Sequence, residues 1–382
     1  MSMDPSRSHV KHRVAIEMVC PYEPGKPVRE VQREYGLTRV IKLASNENPL
    51  GPSPRVIEAL GRADLALHTY PDHDGWMLRD TLAKDLDIDV EAIVIGAGSS
   101  DLMRLVAEAF IGQDDEVVLA DLCFPIYANV TRIAGGTPVT VPLDDRLDYD
   151  LDRTLASVSG RTRAVFLATP NNPTGRAIPV ADLEGFLSAL RPDVLCVIDL
   201  AYNEYVCPAC RVDPAEAVRR HPNVIVLGTF SKVFGLAGLR VGYAVADSEV
   251  ARALLRGQMP FSTSTAALYA AQMAIGDVAH TARSVALNHA MRERLCDELD
   301  RLGLATVRSE ANFVLTDVSL DADAIFHRLL QRGLIVRPVH EPRLRTCLRI
   351  TTGTEEEIDL LVGALGEILD AERQAAGRAS RA

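Results

Sequence analysis

From about residue 90 onward, short apolar runs alternate with amphipathic stretches, and few architectures tolerate that pattern. The runs lie at 93–95, 117–119, 139–141, 164–168, 194–200, 224–227 and 241–245, and all are rich in Val and Ile or other small apolar residues. A strand covered on both faces reads as a continuous apolar run rather than an alternation. Helix-period segments separate several of them. Leu102, Leu105, Val106, Ala109 and Phe110, for example, share one helical face. Strand–helix alternation predicts an α/β domain with a mostly parallel, seven-stranded sheet between helices.

After residue 262 the pattern changes. Helical sequence covers 262–302, strand-like runs follow at 313–315, 334–336 and 348–350, and a closing helix spans 355–369. This predicts a second, smaller α+β domain. The expected division is an N-terminal arm with part of the small domain (1–50), a large domain (51–261), and linking helices with the rest of the small domain (262–382). With 382 residues the chain exceeds a single compact core. Segment 41–54 reads as an extended connector and 372–382 as a frayed tail.

Composition narrows the function. Net charge is −11 with no basic block, which argues against nucleic acid as a partner. No apolar run is long enough to span a membrane. The polar, basic start has no apolar core, so it does not read as an export signal. With seven cysteines, an odd number, a reducing cytoplasm is the expected setting. Cys207 and Cys210 form a lone CxxC, without the second pair that a metal ribbon needs, and are read as unpaired thiols. No metal site is expected.

In open α/β sheets ligands sit beyond the carboxyl ends of the strands. Three loops there are unusual. Residues 168–175, Ala-Thr-Pro-Asn-Asn-Pro-Thr-Gly, read either as a tight turn or as a loop that aims Asn172 into a cleft. Asp199 ends an apolar strand, where a carboxylate needs a partner; a helix cap, a salt bridge or a protonated ring nitrogen would each serve. Lys232 follows another buried strand, flanked by Ser231 and by Gly228, Gly235 and Gly238. Desolvation there would lower its pKa and make it a nucleophile.

Together SNENP (45–49), TPNNPTG (169–175), D-x-A-Y (199–202) and SKxFGLAGLRVGY (231–243) resemble the fold-type I pyridoxal-phosphate enzymes of aminotransferase class I/II. Asn172 and Asp199 are 27 residues apart, and Asp199 and Lys232 are 33 apart, which fits that family. Within it the chain is most similar to histidinol-phosphate aminotransferases, through KLASNENPLGPSP (42–54), QDDEVVLAD (113–121), ANFVL (311–315), GLIVRPV (333–339) and LRITTGTEEE (348–357). The likeness spans roughly residues 20–370; each motif is weak alone, and five in order are strong.

The resemblance implies pyridoxal 5′-phosphate as cofactor, held as a Schiff base on Lys232, whose amine then moves the substrate proton. It implies that Asp199 pairs with the pyridine nitrogen and that Asn172 and Tyr202 bond the phenolic oxygen. Phe124 would stack on the ring, where many relatives have Tyr. Ser99, Ser100, Ser231 and Arg240 would cradle the phosphate, the first two at a helix N-terminus. Tyr70 matches a tyrosine that reaches the neighbouring subunit's phosphate, which implies a homodimer; its other reading is a plain core tyrosine. Arg349 would bind the substrate's anionic group, with Arg337 as a second anion contact, and Tyr22 and Asn46 would close over the substrate. Arg343 and Arg345 read as solvated loop charges.

Some positions depart from the family pattern. Leu200 stands where relatives carry Glu, Gly228 where they carry Arg, and Val233-Phe234 where they carry Ala-Tyr. The loss at Gly228 is expected to remove a positive charge near the site. The implied reaction moves an amino group from a small-molecule donor to a 2-oxo acid, with histidinol phosphate and 2-oxoglutarate as the expected pair in histidine biosynthesis. A paralogue for an aromatic or pathway-specific amino acid and a threonine-phosphate-type decarboxylase remain alternatives. A cofactor-binding regulator would carry a DNA-binding unit in front, and the roughly 20 residues there are too few for one.

Overall fold

The computed structural model describes residues 12–21 and 24–379. Its strands, in chain order, are β1 (Ile41–Lys42), β2 (Ile93–Gly96), β3 (Glu116–Ala120), β4 (Thr137–Val141), β5 (Thr162–Ala168), β6 (Leu195–Asp199), β7 (Val224–Thr229), β8 (Gly242–Ala246), β9 (Ala305–Val307), β10 (Phe313–Asp317), β11 (Leu334–Ile335), β12 (Arg337–Pro338) and β13 (Cys347–Thr351). Seven of them form one sheet in the order β2-β8-β7-β6-β5-β3-β4. All neighbours run parallel except β8, which is antiparallel to both β2 and β7. The link from β7 to β8 holds one 3₁₀ turn, Ala237–Leu239, and no crossover helix, so the chain returns antiparallel.

Side chains alternate across this sheet. Val197, Ile225 and Leu227 face a core shared with helices Ser99–Phe110 and Ser248–Gly257. Cys196, Ile198, Val224 and Val226 face the opposite core, under helices Val180–Ala189 and Pro214–Arg220. That period of two decides which residues at the strand ends reach the site.

The smaller unit is an antiparallel sheet, β12-β13-β10-β9, packed against helices Val278–Arg301, Ala322–Gln331 and Glu355–Ala379. Leu295, Leu299, Val314, Leu329, Ile350, Leu361 and Leu365 fill its core. The expected connector at 41–54 does more than connect. It opens as β1, which pairs with β11, and closes at Ser53, whose side chain caps helix Pro54–Arg62. The helical stretch at 262–302 is two helices, Thr265–Ile275 and Val278–Arg301, because Gly276 ends the first and Asp277 caps the second.

The tail differs from expectation. The last helix runs to Ala379, and its extra turns are tied down where Arg373 donates to the Leu302 carbonyl (2.8 Å) and Glu372 pairs with Arg328. Near the other end, Asn129 donates to the Cys20 carbonyl (2.7 Å), holding the N-terminal arm on helix Ile126–Ala134. Among the described residues, no helix is long and apolar enough to cross a membrane, and no cluster of three or more His, Cys, Asp or Glu is placed to hold a metal. All seven cysteines are free thiols.

Leu360 and Leu361 test the packing of the closing helix, being 43 % and 0 % exposed respectively. Leu361→Ala should cost about 2–5 kcal/mol in denaturant unfolding. Leu360→Ala should stay within about 0.5 kcal/mol of the parent.

Candidate active site

Adjacent parallel strands end side by side, with Ala168 opposite Asp199 and Asp199 opposite Leu227. Beyond those ends lies a cleft of about 410 Å³. Ser99, Ser100, Phe124, Asn172, Asp199, Tyr202, Ser231, Lys232, Arg240, Asn46 and Arg349 all line it. Three of the expected site residues do not. Arg337 opens onto an adjoining recess of about 140 Å³ that shares Phe124, Asn172 and Arg349 with the cleft. Tyr70 is 79 % exposed and stacks on Phe261 (4.6 Å between ring centroids), so the plain core reading of it is wrong. Tyr22 falls outside the described residues.

One end of the cleft is built for an anion. Ser99 and Ser100, which line the cleft, start helix Ser99–Phe110, whose N-cap, Gly98, contributes no side-chain cap, so the favourable end of the helix dipole lies at the cleft. Arg240 donates to Ser231 Oγ (3.3 Å), and Thr229 Oγ1 donates to the same oxygen (3.0 Å). Gly98 has φ +91°, and a Cβ there would lie 2.5 Å from the Arg240 guanidinium. Only glycine lets the arginine lie across the helix start.

At the middle of the cleft, Asp199 is 7 % exposed. Neither a salt bridge nor a helix cap accounts for it. Its carboxylate accepts from Tyr127 Oη (2.7 Å) and from the Ala201 N–H (3.1 Å). Burial raises its pKa, opposed by those two hydrogen bonds and by the charge of Lys232. A cationic group brought into the cleft would meet a carboxylate that water solvates poorly. Tyr127 is a site residue that the sequence reading missed. The available signal was a tyrosine one helical turn after Phe124, since a buried phenol seeks a polar partner.

Lys232 Nζ donates to the Ser45 carbonyl (3.2 Å) and lies 5.6 Å from the Tyr202 ring centroid. Burial, helped by the charge of Arg349, lowers its pKa to about 8. Glu47, also overlooked, lines the cleft and opposes that shift. Arg349 Nη1 donates to Asn172 Oδ1 (2.6 Å), and Nη2 donates to the Ala44 carbonyl (2.7 Å). Arg337 and Arg349 are register partners across β12 and β13, and both line the recess beside the cleft. Arg343, expected to be a solvated charge, donates to Asp121 (3.0 Å) and to the Leu143 carbonyl (3.2 Å).

The departures at Leu200 and Gly228 lie elsewhere. Leu200 belongs to the core on the far side of the sheet, and a Cβ on Gly228 would lie 2.2 Å from the ring of Tyr243. Gly228 points away from the cleft because Thr229, the next residue, points into it. The expected loss of positive charge at the site is therefore not what this glycine does.

This sheet, with a lysine, a carboxylate and an anion cradle at its strand ends, matches known proteins along nearly its whole length. The family model for aminotransferase class I and II matches residues 38–365. Histidinol-phosphate aminotransferase of Moorella thermoacetica is 42 % identical over 96 % of this chain and 95 % of its own length. Histidinol-phosphate aminotransferase 1 of Thiobacillus denitrificans is 43 % identical over 93 % of each. The crystal structure of histidinol-phosphate aminotransferase from Sinorhizobium meliloti, in complex with pyridoxal-5′-phosphate, superposes with a TM-score of 0.88 at 29 % identity, covering 96 % of this chain and 99 % of that one. The chain belongs to the aminotransferase class I and II family and has the fold of that family's type I enzymes.

The lowered pKa of Lys232 makes a pH prediction. Below about pH 8 its amine is protonated and unreactive; above it the amine is a free nucleophile. Modification of Lys232 by an aromatic aldehyde, trapped with borohydride and located by mass spectrometry, should rise with pH to a midpoint near 8. Surface lysines should reach theirs only near about 10.4.

Proposed function

We propose that this chain is a pyridoxal-phosphate-dependent transaminase whose amino donor is histidinol phosphate and whose acceptor is 2-oxoglutarate, in histidine biosynthesis. The observation that carries the cofactor reading is the fit of three separated groups to three parts of one molecule. The cradle of Ser99, Ser100, Ser231 and Arg240 suits a phosphate dianion. The buried Asp199 suits a protonated ring nitrogen, and Lys232 suits the aldehyde carbon. Phe124 lines the wall beside them as the ring's stacking partner. When bound, pyridoxal phosphate supplies an electron sink for the pair left at the substrate's α-carbon.

The chain's own residues do the rest. Asp199 keeps the ring nitrogen protonated, Asn172 and Tyr202 hold the phenolic oxygen, and Lys232 Nζ removes the α-hydrogen. Arg349 lines the cleft, and Arg337 and Arg349 both line the recess that adjoins it, which supports an anionic substrate. Asn46 and Tyr22 are the residues we assign to closing the cleft over substrate. That cleft would open between a large domain (51–261) and a smaller one built from 1–50 and 262–382.

The assembly we propose is a homodimer in which Tyr70 reaches the partner's phosphate site. Its support is the exposure of Tyr70, Leu67, Trp76, Met77, Met259 and Phe261, large apolar side chains that water covers poorly. Sedimentation should return twice the chain mass of 41.5 kDa. A monomer at micromolar concentration would remove this reading.

The purified protein should show visible absorbance from bound pyridoxal phosphate, and Lys232→Ala should abolish both that absorbance and turnover. Histidinol phosphate should bleach the wild-type band within one half-reaction, while phenylalanine should not. Bleaching by phenylalanine alone would favour an aromatic paralogue, and release of carbon dioxide would favour a decarboxylase.

A further inference from the structure

We infer that Asn46, oriented by Thr351, is a positioning residue that makes Tyr202 a hydrogen-bond donor toward the ring oxygen of the bound cofactor. This rests on the cofactor reading above and extends it to two residues outside the expected cofactor contacts.

Tyr202 has one hydroxyl proton, and its use depends on what Asn46 offers. Asn46 Nδ2 lies 2.9 Å from Tyr202 Oη, and Asn46 Oδ1 lies 3.1 Å from Thr351 Oγ1. The two ends of a carboxamide are told apart only by their partners. Here the Asn46 backbone N–H decides, because it donates to Thr351 Oγ1 (2.9 Å). Having accepted that bond, the threonine hydroxyl satisfies its own proton by donating to Asn46 Oδ1. That turns Nδ2 toward Tyr202. With the amide reversed, Thr351 would face two donors and lose its acceptor, a poor state for residues only 1 % and 2 % exposed. In the satisfied arrangement Asn46 donates to the phenol, so the phenol's proton is given to an acceptor other than Asn46.

The backbone reinforces this. Asn46 has φ +55°, in the left-handed region that asparagine tolerates better than most residues. Its carbonyl accepts from Asn312 Nδ2 (3.0 Å).

Arg349 and Thr351 are two apart on β13 and so share a face. Arg349 occupies Asn172 Oδ1, which leaves the Asn172 amide N–H group to donate. One strand of the smaller sheet thus sets both polar side chains, Asn172 and Tyr202, as donors. Donors to an anionic ring oxygen stabilise its charged form and lower the pH at which the bound chromophore titrates.

The test is the pH midpoint of the visible absorbance of the holoenzyme. Thr351→Val removes the hydroxyl with little change in shape and adds no charge, and should raise the midpoint. Asn46→Asp offers Tyr202 an acceptor and should raise it further, by about one pH unit, a tenfold change in proton affinity. In a Tyr202→Phe background neither substitution should move the midpoint again. Unchanged midpoints in folded Asn46→Asp and Thr351→Val enzymes would overturn the inference. So would a shift that persists in the Tyr202→Phe background, since it would then come from charge or packing. A wild-type protein that shows no visible band with pyridoxal phosphate would instead sink the cofactor reading beneath it.

Discussion

Burying a carboxylate at the end of a central strand is the constraint around which this molecule is arranged. Asp199 sits where two parallel strands flank it and water is nearly excluded, and charge there is costly unless it is paired. Tyr127 and the Ala201 N–H stabilise it in part. Lys232 contributes from across the cleft, and the same burial that raises the aspartate's pKa lowers the lysine's. The two shifts have one cause and leave a poorly solvated carboxylate and a readily deprotonated amine in one enclosure. Perturbed pairs of this kind concentrate at functional sites.

The larger sheet supplies the anion cradle, the carboxylate and the lysine from its strand ends. The smaller sheet supplies charge and orientation. Arg349 reaches from β13 to Asn172, and Thr351 reaches Tyr202 through Asn46. The two units therefore meet through hydrogen bonds inside the cleft itself, and Arg343 adds a third tie to Asp121 and Leu143 near its edge. A shift of β13 relative to the large sheet would disturb Asn172 and Tyr202 before it disturbed Asp199 or the cradle.

Most of the large sheet was legible because strands buried on both faces announce themselves as apolar runs; all seven strands lie at such runs, although the edge strand β4 is only partly buried. The run at 334–336 is β11, but the two-residue strands β1 and β12 were harder, since two residues carry no period. The helical tail was misread because Arg373 and Glu372 look solvated until Leu302 and Arg328 are placed beside them. In the site, residues belonging to motifs were legible and their supports were not. Tyr127 lies in ordinary helix sequence and Thr351 inside a motif that gave it no role; only the fold shows that one donates to Asp199 and the other bonds Asn46.

The departures from the family pattern show how much a strand's period matters to such a reading. In sequence, Leu200 touches Asp199 and Gly228 touches Thr229, so both changes look like alterations of the site. In the sheet, Asp199 is opposite Leu227 and Gly228 is opposite Tyr243, which sets Leu200, Gly228 and Tyr243 in a row on the face away from the cleft. There the Tyr243 ring occupies the space that any side chain at Gly228 would need, and Leu200 packs into the same core. A charged pair at positions 200 and 228 would have to be buried as a unit, and an apolar row of matching volume is often no less stable. The change is thus one of packing, separated from the chemistry by the thickness of the sheet, and it gives no reason to assign a different reaction. What selects the amino donor has to be sought on the near face, where Arg337 and Arg349 are paired.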